Sequence, residues 1–237
     1  MKTIFDEPIP TIPFPAVKDY CIRDTQENIV SLSESGFVVR SQYYEQGLPG
    51  SYKDCYARES VATRLKDAQK LLPAGLKFAI YDAYRPICVQ QRLWNHYYNQ
   101  ISSDFPAASV SELEAKTGFF ASKPSYDSLH PSLHNTGGAV DLTIITDNGY
   151  ALNMGTLFDD FSDRAWTNHF EEFEPNKEVM HNRRILYHAM IAAGFTNLPS
   201  EWWHYDYGTK FWGYFTGKDA LYCGILDADF PNRFPLC

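Results

Sequence analysis

No stretch of this 237-residue chain carries the roughly 18–20 consecutive apolar residues that a membrane-spanning helix needs, so no membrane partner is expected. An excess of positive charge is missing too. Against 29 Asp+Glu there are 21 Lys+Arg, a formal net charge of −8, and a chain without a global positive field is a poor partner for nucleic acid. Cysteine is sparse and irregular. Cys21, Cys55, Cys88, Cys223 and Cys237 are odd in number and contain no C-x-x-C pair, which reads as reduced thiols in a cytosolic protein and not as a disulfide framework; one disulfide with three free thiols is the alternative. The opening M-K-T-I-F-D-E-P-I-P-T-I-P-F-P is broken by acids and prolines and does not read as a signal peptide. The expected location is the cytoplasm, or the periplasm or the exterior if a leader has been removed. Internal repeats, charge runs and linkers are also lacking, so a single domain over residues 1–237 is expected, with 1–36 as an extended N-terminal wrap.

What is present is ordinary in bulk: hydrophobic residues make up 44% and charged residues 21%, which excludes a largely disordered chain. Aromatics stand out, with 16 Tyr, 16 Phe and 5 Trp, and favour a compact fold with a wide aromatic-lined cleft. Phe37–Tyr56 reads as strand and loop. Val61, Leu65, Ala68 and Leu72 recur at helical spacing from Glu59 until Pro73 and Gly75 stop the pattern. The β-branched and aromatic content of Leu76–Tyr81 predicts a strand, and Pro86 sits where the first turn of a second helix would begin. Residues 101–136 read as long loops with a short helix near Glu112–Lys116. G-G-A-V-D-L-T-I-I-T is the clearest strand, with D-N-G as a turn after it. Met154–Asn176 is irregular, a third helix runs from Glu178 to Ala193 with Gly194 closing it, and a last strand region spans F-T-N-L-P-S-E-W-W-H-Y-D-Y before an aromatic coil. Helices and strands mix without a βαβ rhythm, so the expected class is α+β with a central antiparallel sheet flanked by helices.

Two clusters carry chemistry: Ser132-Leu133-His134-Asn135-Thr136-Gly137-Gly138-Ala139-Val140-Asp141 and Glu201-Trp202-Trp203-His204. A catalytic zinc takes three protein ligands and keeps one position open for water. His134, Asp141 and His204 would supply two imidazoles and a carboxylate, while Glu201 remains to take a proton from water whose pKa the metal lowers to roughly 7. His134 must fold back toward the strand that bears Asp141, and two adjacent glycines allow that close turn. Glu201 and His204 lie at an odd offset that puts them on opposite faces of a regular strand, so the element must bend there. Each residue also has a plainer reading: a half-buried histidine beside tryptophans, a strand-edge acid, a surface glutamate, a simple turn. His130 is a rival ligand at i−4 from His134, ranked below it because Pro131 argues against a helix. Arg85, in Y-D-A-Y-R-P, leaves a strand just before a helix, placed either to stabilise an oxyanion or to pair with Asp82.

Taken together, S-x-H-x-x-G-x-A-x-D, Glu201-Trp202-Trp203-His204 and the strand-end Y-R-P resemble the zinc D-alanyl-D-alanine dipeptidases, which include the vancomycin-resistance dipeptidase and sit within the Hedgehog-like D,D-peptidase superfamily. The resemblance spans about Tyr81 to Tyr207. It implies one Zn2+ held by His134, Asp141 and His204, Glu201 as general base and Arg85 polarising the scissile carbonyl. It further implies that Ser132 and Asp159, the latter from M-G-T-L-F-D with Asp160 as its neighbour and alternative, hold the substrate's amino group. A tyrosine near the N-terminal strand does the same in the family, and Tyr43 and Tyr44 lie near that place without matching its pattern. The implied activity is hydrolysis of D-Ala-D-Ala or a related small dipeptide. The alternatives are a D,D-carboxypeptidase or endopeptidase on peptidoglycan stem peptides and a non-catalytic zinc-binding module.

Overall fold

The computed structural model describes residues 3–16 and 20–226. Among these the strands are β1 (Ile29–Ser31), β2 (Val38–Val39), β3 (Tyr56–Arg58), β4 (Leu76–Asp82), β5 (Ala139–Thr146), β6 (Thr196–Asn197) and β7 (His204–Asp206). The helices are α1 (Gln42–Glu45), α2 (Glu59–Lys70), α3 (Ile87–Asp104), α4 (Val110–Thr117), α5 (His169–Glu172), α6 (Lys177–Ala192) and α7 (Lys210–Thr216). β1 and β3 form a separate antiparallel pair, and the main sheet runs β2-β4-β5-β7-β6. Its one parallel contact is β2 with β4; the other three pairings are antiparallel.

β5 is central and buried along all but its last residue, with Asp141 and Thr143 set among its apolar residues. Alternation divides its side chains. Val140, Leu142 and Ile144 enter the main core with Phe78 and Ile80 of β4, Leu65 of α2, and Leu186 and Met190 of α6. Asp141 therefore points the other way. α2 has the expected face, with Val61, Ala62, Leu65 and Ala68 buried. α6 starts where the Asn176 side chain accepts hydrogen bonds from the Glu178 and Val179 amides, and Gly194 follows it at φ +90°.

Several expectations need correction. The stretch read as strand and loop contains the short helix α1. The second helix runs to Asp104, and Pro86 is its N-cap. The C-terminal segment read as coil contains α7, capped by the Thr209 hydroxyl, which accepts from the Trp212 amide, and followed by Gly217 at φ +68°. The N-terminal wrap includes a 3₁₀ turn at Ile4–Asp6 and buries Ile9, whose amide donates to Glu171 at 3.1 Å. Cys21, Cys55 and Cys223 are free, but Cys88 is disulfide-bonded, which overturns the reading of five reduced thiols; Cys237 lies outside the described residues. Among the described residues no helix is long and apolar enough to cross a membrane.

Candidate active site

Strand register assembles the site. Asp141 on β5 pairs with His204 on β7 and with Asp82 at the end of β4, where the register shifts between Ile80 and Asp82. Directly opposed residues on neighbouring strands share a face, so Asp82, Asp141 and His204 form a row across three strands. His134 joins from a 3₁₀ turn (His134–Thr136) that ends at Gly137 with φ +72°, a conformation open chiefly to glycine. Gly138 serves a different need. A Cβ there would sit 2.6 Å from the Tyr207 carbonyl oxygen, and Tyr207 donates its amide to the Gly138 carbonyl at 2.9 Å. The glycine pair thus turns the chain and seats it against β7, which brings His134 over Asp141.

The bend demanded by Glu201 and His204 is present. Residues 202–203 form a turn, the His204 amide donates to the Glu201 carbonyl at 3.3 Å, and β7 begins only at His204. Glu201 Oε2 lies 3.9 Å from His204 Nδ1.

The donor atoms fit a divalent metal. His134 Nδ1 lies 2.7 Å from the Ala83 carbonyl oxygen, which can only accept, so that nitrogen carries the proton and Nε2 presents its lone pair. His204 Nε2 lies 3.1 Å from Asp206 Oδ2, which leaves Nδ1 facing inward. Asp206 is held in turn by the Thr209 hydroxyl, 2.7 Å from its other oxygen. The inward atoms of the three residues lie 3.2 Å (His134 Nε2 to His204 Nδ1), 3.0 Å (His204 Nδ1 to Asp141 Oδ1) and 3.3 Å (His134 Nε2 to the other Asp141 oxygen, Oδ2) apart. Metal–ligand bonds of about 2.0–2.1 Å in a tetrahedron separate the donors by about 3.3 Å. All three residues are buried, and two imidazoles with one carboxylate is a donor set of catalytic zinc sites.

Charges around the cluster agree. Burial alone would raise the Asp141 carboxyl, but the adjacent His134 and His204 hold it well below the usual range. Burial alone would lower His204, and Asp206 and Asp141 on either side raise it well above the ordinary imidazole value. Burial raises the Glu201 carboxyl against the opposing pull of His204.

A cavity of about 810 Å³ opens on the cluster, and Arg85, Ser132, Asp159 and Glu201 all line it with the three candidate ligands. Arg85 makes the ion pair with Asp82 and also lines the cavity, so its two readings are compatible. It pairs with Asp82, its Nη2 2.7 Å from Oδ2, and also donates to Gln90 at 2.9 Å and to the Tyr43 hydroxyl at 3.2 Å. The Tyr43 hydroxyl donates onward to Asp159 at 3.1 Å. Of the two tyrosines that the sequence offered, Tyr43 lines the cavity and Tyr44 is exposed. Asp160 turns away and accepts from the Ser162 amide. His130 is exposed, 2.7 Å from Asp127 and outside the donor cluster. Ser132 is buried at the edge of the cavity. The Arg85–Asp82 pair is among the readings of the sequence; Gln90, Asp206 and the approach of Asp82 to His134 at 3.4 Å were missed.

Asp159 has a left-handed backbone (φ +57°), unusual for a non-glycine residue. Burial, reinforced by the charge of Asp141 and opposed by Arg85, pushes its carboxyl up to about 8. A carboxyl raised by folding contributes stability that is complete below about pH 4 and is lost as pH rises to about 8. In the metal-free protein, Asp159→Asn is expected to melt with the parent near pH 4 and above it at pH 8.5. Melts at the two pH values check this, and equal shifts at both would assign the effect to packing.

The family model described as D-ala-D-ala dipeptidase matches residues 32–218. This chain belongs to the D-Ala-D-Ala dipeptidase family. The match contains every cavity residue discussed above. Two curated D-alanyl-D-alanine dipeptidases are similar. The one from Synechocystis sp. (strain PCC 6803) is 31% identical over 175 residues, 66% of this chain and 71% of that protein. The one from Escherichia coli (strain K12) is 33% identical over 135 residues, 56% of each. A solved structure of a vancomycin-resistance D,D-pentapeptidase, VanY, in complex with Zn(II) is similar at 14% identity, with 89% of this chain and 96% of that chain covered and a TM-score of 0.44. Membership in the dipeptidase family makes the chain a metallopeptidase.

Proposed function

We propose that this chain cleaves the peptide bond of D-Ala-D-Ala or a closely related small dipeptide, with His134, Asp141 and His204 holding one zinc ion. The observation that carries the reading is that the donor triad, Glu201, Arg85 and the Tyr43–Asp159 pair all face one cavity. A zinc ion bound there supplies a Lewis acid that acidifies water to a pKa of about 7. Glu201 takes a proton from the attacking water and delivers it to the leaving amine, and its raised pKa suits both transfers. Arg85 is fixed by Asp82, Gln90 and Tyr43 and keeps one Nη1–H for a developing oxyanion. Asp159, with the Tyr43 hydroxyl and Ser132, holds the substrate ammonium. An acylated amine brings no charge to hold the buried Asp159 carboxyl in its ionised form, so it forfeits that ion pair.

A second reading, carboxypeptidase action on peptidoglycan stem peptides, is favoured by one observation. A cavity of about 810 Å³ lies high in the ~300–1,000 Å³ range of ligand pockets and offers more room than two alanines fill. Release of free D-alanine from D-Ala-D-Ala and from N-acetyl-D-Ala-D-Ala, with and without chelator, separates the two. Chelator-sensitive cleavage of the free dipeptide alone is the expected result; cleavage of the acetylated substrate establishes the carboxypeptidase. For location, the three free cysteines support the cytoplasm, whereas the disulfide at Cys88 supports an oxidising compartment.

A further inference from the structure

A dipeptide is charged at both ends, and the residues assigned so far account only for the ammonium. Arg85 is already paired with Asp82 and directed at the carbonyl. The carboxylate of the leaving residue has no assigned partner.

A second cavity, of about 500 Å³, adjoins the first, and Ser132 lines both. Asp159 lines only the first cavity and Lys210 only the second. Two lysines and a histidine border the second cavity: Lys123, Lys210 and His130. Lys123 is neutralised by Glu114 at 2.6 Å and His130 sits 2.7 Å from Asp127. Lys210 differs. It is half-buried, and among the described residues it forms no ion pair or hydrogen bond. Its ammonium rests instead near the rings of Tyr20 (5.7 Å) and Phe211 (5.8 Å), and Phe211 lines the main cavity. Burial lowers its pKa below the ordinary lysine value, opposed by the charge of Asp206. A partly desolvated ammonium without a counter-ion is costly, and a carboxylate entering the groove beside Ser132 would relieve that cost.

We propose that Lys210 is the carboxylate-recognition residue, binding the C-terminal carboxylate of the leaving amino acid at the Ser132 side of the groove. The inference rests on the proposed peptidase reading and holds for dipeptidase and carboxypeptidase alike, since both leave a free C-terminal carboxylate.

The test compares wild type, Lys210→Met and Lys210→Arg on D-Ala-D-Ala and on D-Ala-D-alaninamide, which lacks the carboxylate charge. A charge-assisted hydrogen bond is worth about 10- to 100-fold in binding. Lys210→Met is therefore expected to raise KM for D-Ala-D-Ala about tenfold or more, with kcat within about twofold. It should leave the affinity for the amide unchanged, read as KM or as the inhibition constant where turnover is too slow. Lys210→Arg should restore most of the loss. Equal losses on dipeptide and amide assign Lys210 a structural role and overturn the proposal, as does no change on either. Failure of wild type to cleave D-Ala-D-Ala overturns instead the reading on which the proposal rests.

Discussion

Glu201→Gln is expected to retain bound metal and to lose turnover by roughly 10²–10⁴-fold or more. Glu201 is outside the donor triad, its Oε2 3.9 Å from His204 Nδ1, and precedes the turn into β7. Its side chain is 23% exposed, toward the cavity, while those of Asp141 and His204 are each 3% exposed. Glutamine keeps the shape and loses the ability to accept a proton. The loss should fall on kcat, with KM little changed, because the proton moves only on the way to the transition state. A pH profile adds an independent readout. The base form is the active one, so activity in the parent rises with pH through the Glu201 pKa, which burial holds above the ordinary glutamate value; that limb should vanish in the variant. Combining Glu201→Gln with a ligand substitution should cost little more than the ligand change alone, since the two act as a unit. Metal content by elemental analysis and steady-state rates decide the matter. Retained turnover would remove Glu201 as the base.

The parts of this molecule legible in its sequence are those set by local pattern. α2, β4, β5 and α6 announce themselves by apolar period and by their stops, because each buries one stripe or both faces against a core that tolerates little else. The candidate ligands were legible as residue types beside a predicted strand, and the odd offset of Glu201 and His204 correctly required a bend. Strand register was not legible. That Asp141 faces His204 on one side and Asp82 on the other depends on pairings between segments some 60 residues apart in the chain. The same holds for Tyr43, whose hydroxyl reaches Asp159 across 116 positions. Asp206 was hidden for a different reason: two residues beyond His204 on the same strand face, it reads as an ordinary polar residue until the imidazole is seen to turn its second nitrogen toward it. α7 was missed because K-F-W-G-Y-F-T is dense in aromatics that favour strands as much as helices, and its signals, Thr209 and Gly217, become convincing only together.

These layers explain why the site is both well built and strained. Three buried acids, Asp82, Asp141 and Asp206, surround two histidines and one arginine, and Asp159 and Glu201 add further acid at the cavity. Burial first, and repulsion by the charge of the neighbouring acids second, raise the carboxyls of Asp159 and Glu201. Stability is thus given up at the positions where charge is needed for binding and proton transfer, a common trade in enzymes. A divalent cation in the triad would offset part of that repulsion, so metal loading and folding should be coupled.

That coupling makes Asp141→Asn the other substitution of largest effect. The amide preserves volume and leaves both imidazole lone pairs in place, yet it removes the only carboxylate among the three donors and the charge that partners His134, His204 and, at 3.8 Å, Arg85. Altering a residue that merely orients a ligand costs about 10- to 100-fold in metal affinity, so loss of a ligand should exceed that, and turnover should fall below detection at substoichiometric zinc. A ligand that binds only the folded state stabilises it in proportion to the logarithm of its concentration over Kd, about 4 kcal/mol at a thousandfold excess. The parent is therefore expected to melt at a clearly lower temperature in chelator than in zinc. The melting temperature of Asp141→Asn should be the same in both, because there is no tightly bound ion to remove. Equilibrium dialysis gives the affinity and paired thermal melts give the coupling. If the variant kept stoichiometric zinc and a chelator-sensitive melt, the metal would have to sit elsewhere than between His134, Asp141 and His204, and the roles assigned to Glu201 and Arg85 would fall with it.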